Sequence, residues 1–259
     1  CIRDRILCIG DIVGSIGVAA FGKKMPELRQ KYSPDIIIVN GENAGDGCSI
    51  TAPNCGALFM FGADVITGGN HSLYSRDMTE IYEREDGALR PANLHPNAPG
   101  SGVFVYERGK YRCAVVSLIG DVFLDLAFES PFLAADKILK KLDCKTVVFD
   151  IHGEATSEKI ALGKYLDGRC SVVFGTHTHV PTADEEVLPG GTAYITDVGM
   201  CGPIDSVLGV KTELSTSFMI THLRAGMEIA KDPCKVQGIF VETDDASGKA
   251  LSIERFDLR

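Results

Sequence analysis

The chain has 259 residues, 45% of them hydrophobic and 24% charged, which is enough apolar material for a sizeable buried core and argues against intrinsic disorder. Its 26 basic and 35 acidic residues leave a formal charge of −9 without a block of like charge, so broad nucleic-acid binding or an anionic membrane surface is not its expected business. No apolar stretch approaches the roughly 18 residues of a membrane span, and the opening CIRDRILCIGD lacks the apolar segment of a signal peptide, so a cytoplasmic setting is expected.

The predicted elements alternate along the chain. RILCIG (5–10) reads as a strand, and Val18, Phe21, Met25, Leu28 and Tyr32 then recur at helical spacing, in a helix that Pro26 is expected to kink or split. DIIIVNG (35–41) and ADVITGG (63–69) are further strands. GVFVYERGKYRCAVVSLIG (102–120) reads as a hairpin turning at Arg108–Gly109. Ser130 and Pro131 form an N-cap and first-turn pair for a helix over FLAADKILKKL. TVVFDIH (146–152) and CSVVFG (170–175) are strands on either side of a helix in ATSEKIALGKYLDG (155–168) that Gly168 ends. VQGIFVETDDASGKALSIERF (236–256) is a second hairpin, turning at Ala246 to Lys249.

The apolar runs are near-continuous, as in strands buried on both faces. Their alternation with helices predicts an α/β architecture with a largely parallel central sheet, and the hairpins belong in a mixed sheet or in two facing sheets. One domain over 1–259 is expected, without repeats or a linker. The chain starts at Cys1 rather than Met, which leaves upstream residues open. Its nine cysteines are odd in number and lack CxxC spacing, and Cys8, Cys113 and Cys170 sit in apolar runs, which fits reduced, buried thiols.

In an open parallel α/β sheet, ligands collect at the carboxyl ends of the strands. Here successive strands end in Gly10-Asp11, Asn40-Gly41-Glu42-Asn43, Gly68-Gly69-Asn70-His71, His152 and Gly175-Thr176-His177-Thr178-His179. Singly, each has an ordinary explanation: Asp11 as a helix cap, Glu42-Asn43 and Asn70 as turn residues, His71 or His152 as a satisfied histidine. His177 and His179 are different, because two imidazoles at i and i+2 after a strand can face one point and grip a metal. Four of the six histidines fall at such strand ends. Nitrogen and oxygen donors without thiolate suit Mn, Fe or Zn better than Ca or Mg. The candidate donors exceed the needs of one tetrahedral ion, whereas two ions about 3.5–4 Å apart would use them all, a common device for phosphoester hydrolysis.

In these residues the chain resembles the calcineurin-like metallophosphoesterase superfamily, and more closely its YmdB-like bacterial phosphodiesterases. GDIVGSIG, NGENAGDG, TGGNHS, LRPANL, HGEATSEKIALG, GTHTHVPTAD and AYITDVGMCGP follow in order from about residue 5 to residue 209, while the final fifty residues match less clearly. The superfamily's usual Asp-x-His is absent, since Asp11 precedes Ile12 and Val13, and its bridging Asp is Glu42. The YmdB-like branch shares both departures, with an asparagine in place of the missing histidine.

The resemblance implies an α/β sandwich with central mixed, largely parallel sheets flanked by helices. It implies two divalent or mixed-valence ions per chain, Fe or Mn ahead of Zn. One would be held by Asp11, Glu42, Asn43 and His179, the other by Glu42, Asn70, His152 and His177, with His71 as general acid. A phosphodiester substrate is implied, 2',3'- or 3',5'-cyclic nucleotides, attacked by metal-activated hydroxide while His71 protonates the departing oxygen. Glu154, Ser157 and Arg90 lie in family-like motifs and are candidates for orienting ligands or touching substrate, with helix capping and loop packing as equal alternatives. His95 and His222 follow no comparable strand end and are not expected to be ligands.

Other classes stay open. The same metals could serve a phosphomonoesterase or protein phosphatase, or stabilise a regulatory protein without turnover. A dinucleotide-binding module is prompted by GDIVGSIG, but Asp11 and Ile12 interrupt the G-x-G spacing a pyrophosphate needs. No stable nucleic-acid complex or membrane association is expected, and homo-oligomerisation is left open.

Overall fold

The computed structural model describes residues 3–45, 48–84, 86–223, 226, 228–231 and 233–259. Cys1, and Asp46 and Gly47 of the NGENAGDG motif, lie outside the described residues. In chain order the elements are β1 (Arg3–Ile9), β2 (Asp11–Ile12), α1 (Gly14–Tyr32), β3 (Ile36–Asn40), α2 (Ala52–Phe61) and β4 (Val65–Thr67). A 3-10 turn (Arg76–Met78), α3 (Thr79–Glu83), β5 (Val103–Arg108), β6 (Tyr111–Ile119), α4 (Pro131–Leu139), β7 (Thr146–His152) and α5 (Thr156–Leu166) follow. The chain closes with β8 (Val172–Thr176), β9 (Glu186–Val187), β10 (Ala193–Ile195), β11 (Met200–Pro203), α6 (Thr212–Thr221), β12 (Cys234–Asp244) and β13 (Ala250–Leu258). No helix among the described residues is long and apolar enough to cross a membrane.

Two mixed sheets result. In one, β3 lies between β1 and β4, parallel to both, while β12 runs antiparallel to β1, β11 and β13. In the other, β6, β7, β8 and β10 are parallel neighbours, with β5 and β9 antiparallel at the edges. Side-chain alternation explains why the strands read as unbroken apolar runs. Ile6, Cys8, Ile36 and Ile38 point from the first sheet into a core shared with Cys113, Val115, Val148, Val172 and Phe174 of the second. The alternate residues Leu7, Ile9, Ile37 and Val39 face α1 and α2, and Ala114, Val116, Phe149 and Val173 face α4 and α5. The layers are therefore helix, sheet, sheet, helix, the expected α/β sandwich.

Several local expectations need correction. α1 is not split: it runs unbroken from Gly14 to Tyr32 with Pro26 inside it. Pro26 is exposed while Val18, Phe21, Met25, Leu28 and Tyr32 are buried, so the apolar stripe pins the helix and water can serve the carbonyl that loses its partner. Ser130 does stand at the N-cap of α4, but its side chain makes no capping hydrogen bond, and the helix stops at Leu139 instead of running on to Leu142. In the first hairpin Arg108 pairs with Tyr111, so the turn is centred on Gly109–Lys110, one residue later than expected. The second hairpin turns between Asp244 and Ala250, as expected. Cys8, Cys113 and Cys170 are buried without disulfides, and burial pushes the Cys170 thiol up to about 12.

The two sheets meet with their carboxyl edges together. Asn40 at the end of β3 donates from Nδ2 to Asp150 Oδ2 of β7 at 2.8 Å, and the Thr67 hydroxyl at the end of β4 donates to the same oxygen. The Thr176 hydroxyl at the end of β8 donates to Asp150 Oδ1 at 2.7 Å. Gly175, just before it, tolerates no side chain: a Cβ there would stand 1.8 Å from the Thr196 carbonyl oxygen and 2.7 Å from Lys159 Cδ. Gly175→Ala is expected to cost about 1–3 kcal/mol through overpacking, read as a lower urea midpoint at unchanged slope.

Candidate active site

Every strand-end residue picked out above reaches one place. Asp11 forms β2 beside Met200, Glu42 and Asn43 follow β3, and Asn70 and His71 follow β4. His152 ends β7, and His177 and His179 follow β8. Their side chains form a continuous chain of contacts. Asn43 lies between His179 Nε2, 3.2 Å from its Nδ2, and His71 Nδ1, 3.2 Å from its Oδ1. His71 Nδ1 is also 3.2 Å from Glu42 Oε1, which stands 3.8 Å from His152 Nε2. That nitrogen is 3.0 Å from Asn70 Oδ1 and 3.1 Å from His177 Nδ1. Asp11 Oδ1 closes the group at 3.7 Å from His179 Nε2.

The approach of β4 to β7 depends on a missing side chain, since a Cβ on Gly69 would fall 2.2 Å from the His152 ring. The twin histidines depend on strained backbone. His177 has φ +98° and His179 φ +63°, left-handed values that an L-residue holds only when its surroundings impose them. One such constraint is Asp11, whose Oδ2 accepts the His177 N–H at 3.0 Å.

Each of these three imidazoles has one nitrogen in the cluster and the other on an outside partner. His152 Nδ1 meets the Thr176 hydroxyl at 3.0 Å, His177 Nε2 meets Glu154 Oε2 at 2.9 Å, and His179 Nδ1 meets the Leu208 carbonyl at 3.0 Å. Leu208 O and Glu154 can only accept, and the Thr176 hydrogen is committed to Asp150, so the outer nitrogens carry the protons. In neutral rings the inner nitrogens then turn lone pairs inward, the arrangement by which metal-ligating histidines are oriented.

The cluster fits cations on independent grounds. Asp11 is wholly buried, and its Oδ1 has no hydrogen-bond partner, a costly state for a carboxylate that no proton or metal neutralises. Burial lifts its pKa to about 6, with His179 pulling down and Asp197 and Glu42 pushing up. Burial, reinforced by His177 and His179, lowers the pKa of His152, so this ring stays neutral and available as a donor. Two donors each about 2.1 Å from one ion at right angles stand about 3 Å apart. His177 Nδ1 and Asn70 Oδ1 both lie at that spacing from His152 Nε2. Among the described residues no three His, Cys, Asp or Glu side chains are already drawn around one point. An entering ion would replace contacts the donors now make with one another, and a half-turn of the Asn43 carboxamide would present its oxygen beside His179.

The remaining sequence candidates divide. Glu154 is exposed yet holds His177. Arg90 is buried and donates to the backbone carbonyls of Pro91, Ala98 and Pro99, which supports loop packing. Ser157 lies exposed in the first turn of α5. His95 packs edge-on against Phe128, and His222 caps α6 beside Phe218. Sequence reasoning missed Asp150, Thr176, Lys159 and Asp197, all buried around the cluster. Asp150 did leave a signal, a carboxylate two residues before His152 in an otherwise apolar strand. The Leu208 carbonyl left none.

Two sheets packed face to face with this set at their carboxyl edge define the metallophosphoesterase type of fold. The Haemophilus influenzae NAD nucleotidase shares it at a TM-score of 0.59, with 14% identity over 99% of this chain and 56% of that one. A model of the YmdB-like protein family matches residues 7–256, and the chain belongs to that family. The match runs through the final fifty residues, where motifs alone were least clear. A 2',3'-cyclic-nucleotide 2'-phosphodiesterase of Bacillus subtilis (strain 168) is 42% identical over 253 residues, 97% of this chain and 96% of the relative. The crystal structure of a novel phosphatase of Mycoplasma pneumoniae aligns at a TM-score of 0.93 and 34% identity, covering 99% of this chain and 94% of that one.

A raised acid pKa means that Asp11 holds its proton below about pH 6 and must release it to bind a cation. Mn2+ affinity of the metal-free protein, measured by titration calorimetry, is expected to fall by up to about tenfold per pH unit below that point. An affinity unchanged from neutral pH down to pH about 5 would remove Asp11 from the ligand set.

Proposed function

We propose that the chain is a metal-dependent phosphodiesterase acting on cyclic nucleotides, the 2',3'-cyclic ahead of the 3',5'-cyclic compounds. The observation that carries this reading is a cluster of imidazoles, each tied outward by one nitrogen, beside two buried carboxylates: His152 Nε2 stands 3.8 Å from Glu42 Oε1, and His179 Nε2 stands 3.7 Å from Asp11 Oδ1, an oxygen with no hydrogen-bond partner. The substrate class follows the activity for which the Bacillus relative is named.

Asp11, Glu42, Asn43 and His179 would hold one ion, and Glu42, Asn70, His152 and His177 a second; this nitrogen and oxygen set suits Mn, Fe or Zn better than Ca or Mg. Bound there, such ions supply electrophilic polarisation of the phosphoryl oxygens and a water of lowered pKa. His71 is half-buried at the rim, and Glu42 Oε1, 3.2 Å away, accepts from its Nδ1. That leaves Nε2 of the imidazolium to give its proton to the sugar oxygen as the P–O bond opens and a water oxygen joins phosphorus. Glu42 also accepts the His71 backbone N–H, so the carboxylate that both ions would share is fixed to the proton donor.

Residues 1–259 act as one domain in this reading, because the core between the sheets joins β1 at one end of the chain to β12 and β13 at the other. The buried, disulfide-free thiols of Cys8, Cys55, Cys113, Cys170 and Cys201 support a cytoplasmic setting. A phosphomonoesterase is the second reading, favoured by the naming of the Mycoplasma pneumoniae protein as a phosphatase.

Purified protein with its metals counted by elemental analysis is expected to hydrolyse a cyclic-nucleotide panel faster than a phosphopeptide; the reverse order would favour the second reading. His71→Ala is expected to lower kcat by about a hundred- to ten-thousand-fold while metal content stays at the unmutated level. Undiminished hydrolysis by that variant would take His71 out of the reaction.

A further inference from the structure

The left-handed backbone of His177 needs something to hold it, and the two peptide groups that flank it are both bound by one buried ion pair. Lys159 Nζ donates to the Thr176 carbonyl oxygen at 3.1 Å and to Asp197 Oδ2 at 2.9 Å. The same Oδ2 accepts the Thr178 N–H at 3.1 Å, and Asp197 Oδ1 accepts the Gly199 N–H at 2.9 Å. Both side chains are 1% exposed. Removal of two charges from water offsets most of their attraction, so such a pair is a poor source of net stability and a good source of fixed geometry.

The pair reaches His177 from the same segment that orients its ring. Glu154, just before α5, meets His177 Nε2, and Lys159, in the first turns of α5, reaches the carbonyl just before His177. Gly175 leaves room for the lysine stem: a Cβ there would lie 2.7 Å from Lys159 Cδ.

We infer that Lys159 and Asp197 are positioning residues that lock the Thr176–Thr178 backbone, so that Nδ1 of His177 and Nε2 of His179 face the same site. Neither residue touches the reacting atoms in this arrangement; they act through His177. The part of this inference that concerns metal affinity rests on the proposed metal site, whereas the backbone lock does not.

Amide hydrogen exchange on the metal-free protein tests the lock directly. In the unmutated protein the Thr178 amide is expected to exchange as slowly as the Val173 amide of β8; exchange at the rate of an open loop overturns the inference whatever any variant does. In the double variant Lys159→Met with Asp197→Asn, which removes both charges at similar volume, protection of Thr178 is expected to fall about tenfold or more while that of Val173 is kept. Mn2+ affinity of that variant, by calorimetry, is expected to fall by about tenfold as well. A folded double variant with unchanged Thr178 exchange and unchanged Mn2+ affinity overturns the inference. Absence of Mn2+ binding by the unmutated protein would instead defeat the metal reading, and the exchange result would still decide the lock.

Discussion

The hydrogen bonds that converge on Asp150 hold the carboxyl edges of the two sheets together, and the candidate site exists only because those edges coincide. Donors from β3, β4 and β8 meet this one carboxylate of β7. Burial pushes Asp150 up to about 7, while its three side-chain hydrogen bonds pull the other way. A charge-accepting group at that depth is tolerated because its donors satisfy it. The same network also sets the chemistry above it, since the Thr176 hydrogen given to Asp150 leaves the Thr176 oxygen to accept from His152 Nδ1.

From that tie upward, the site is a set of polar groups held where water cannot serve them. Asp11 and Glu42 are fully buried, and Asp11 Oδ1 is left without a partner. A fold that keeps a bare carboxylate oxygen beside the inward-facing nitrogen of His179 is strained electrostatically in the direction that cations relieve. Backbone strain at His177 and His179 points the same way. Strained residues of this kind persist where surrounding structure over-determines them, and at His177 Asp11, Lys159 and Asp197 do so. The net charge of −9 is no obstacle to an anionic substrate, because bound cations would dominate the local field.

Much of this was legible in the linear chain, for a specific reason. A strand buried on both faces must be apolar until it reaches its end, so TVVFDIH and the run before GTHTH announce both the strand and the polar residue that follows it. Asp11, Glu42, Asn43, Asn70, His71, His152, His177 and His179 all stood out by that contrast, and all arrive at one cluster. Pro26 leaves α1 whole because it lies on the exposed face, and which face of a helix is packed is not written in the proline itself. The motif around Arg90 leaves substrate contact and loop packing equally open, and the structure spends its guanidinium on the carbonyls of its own loop.

The sequence by itself determined the alternation of elements, the two hairpins and the identity of the strand-end donors, because those depend on local periodicity and on which residue follows an apolar run. Only the tertiary structure decided that the first and second sheets face each other with their carboxyl edges aligned. It alone decided which nitrogen of each imidazole points inward, because the partners that set this, Thr176, Glu154 and the Leu208 carbonyl, come from separate stretches of chain. A hydrogen bond between segments distant in sequence leaves no period or spacing to read, so it becomes visible only once the chain has closed.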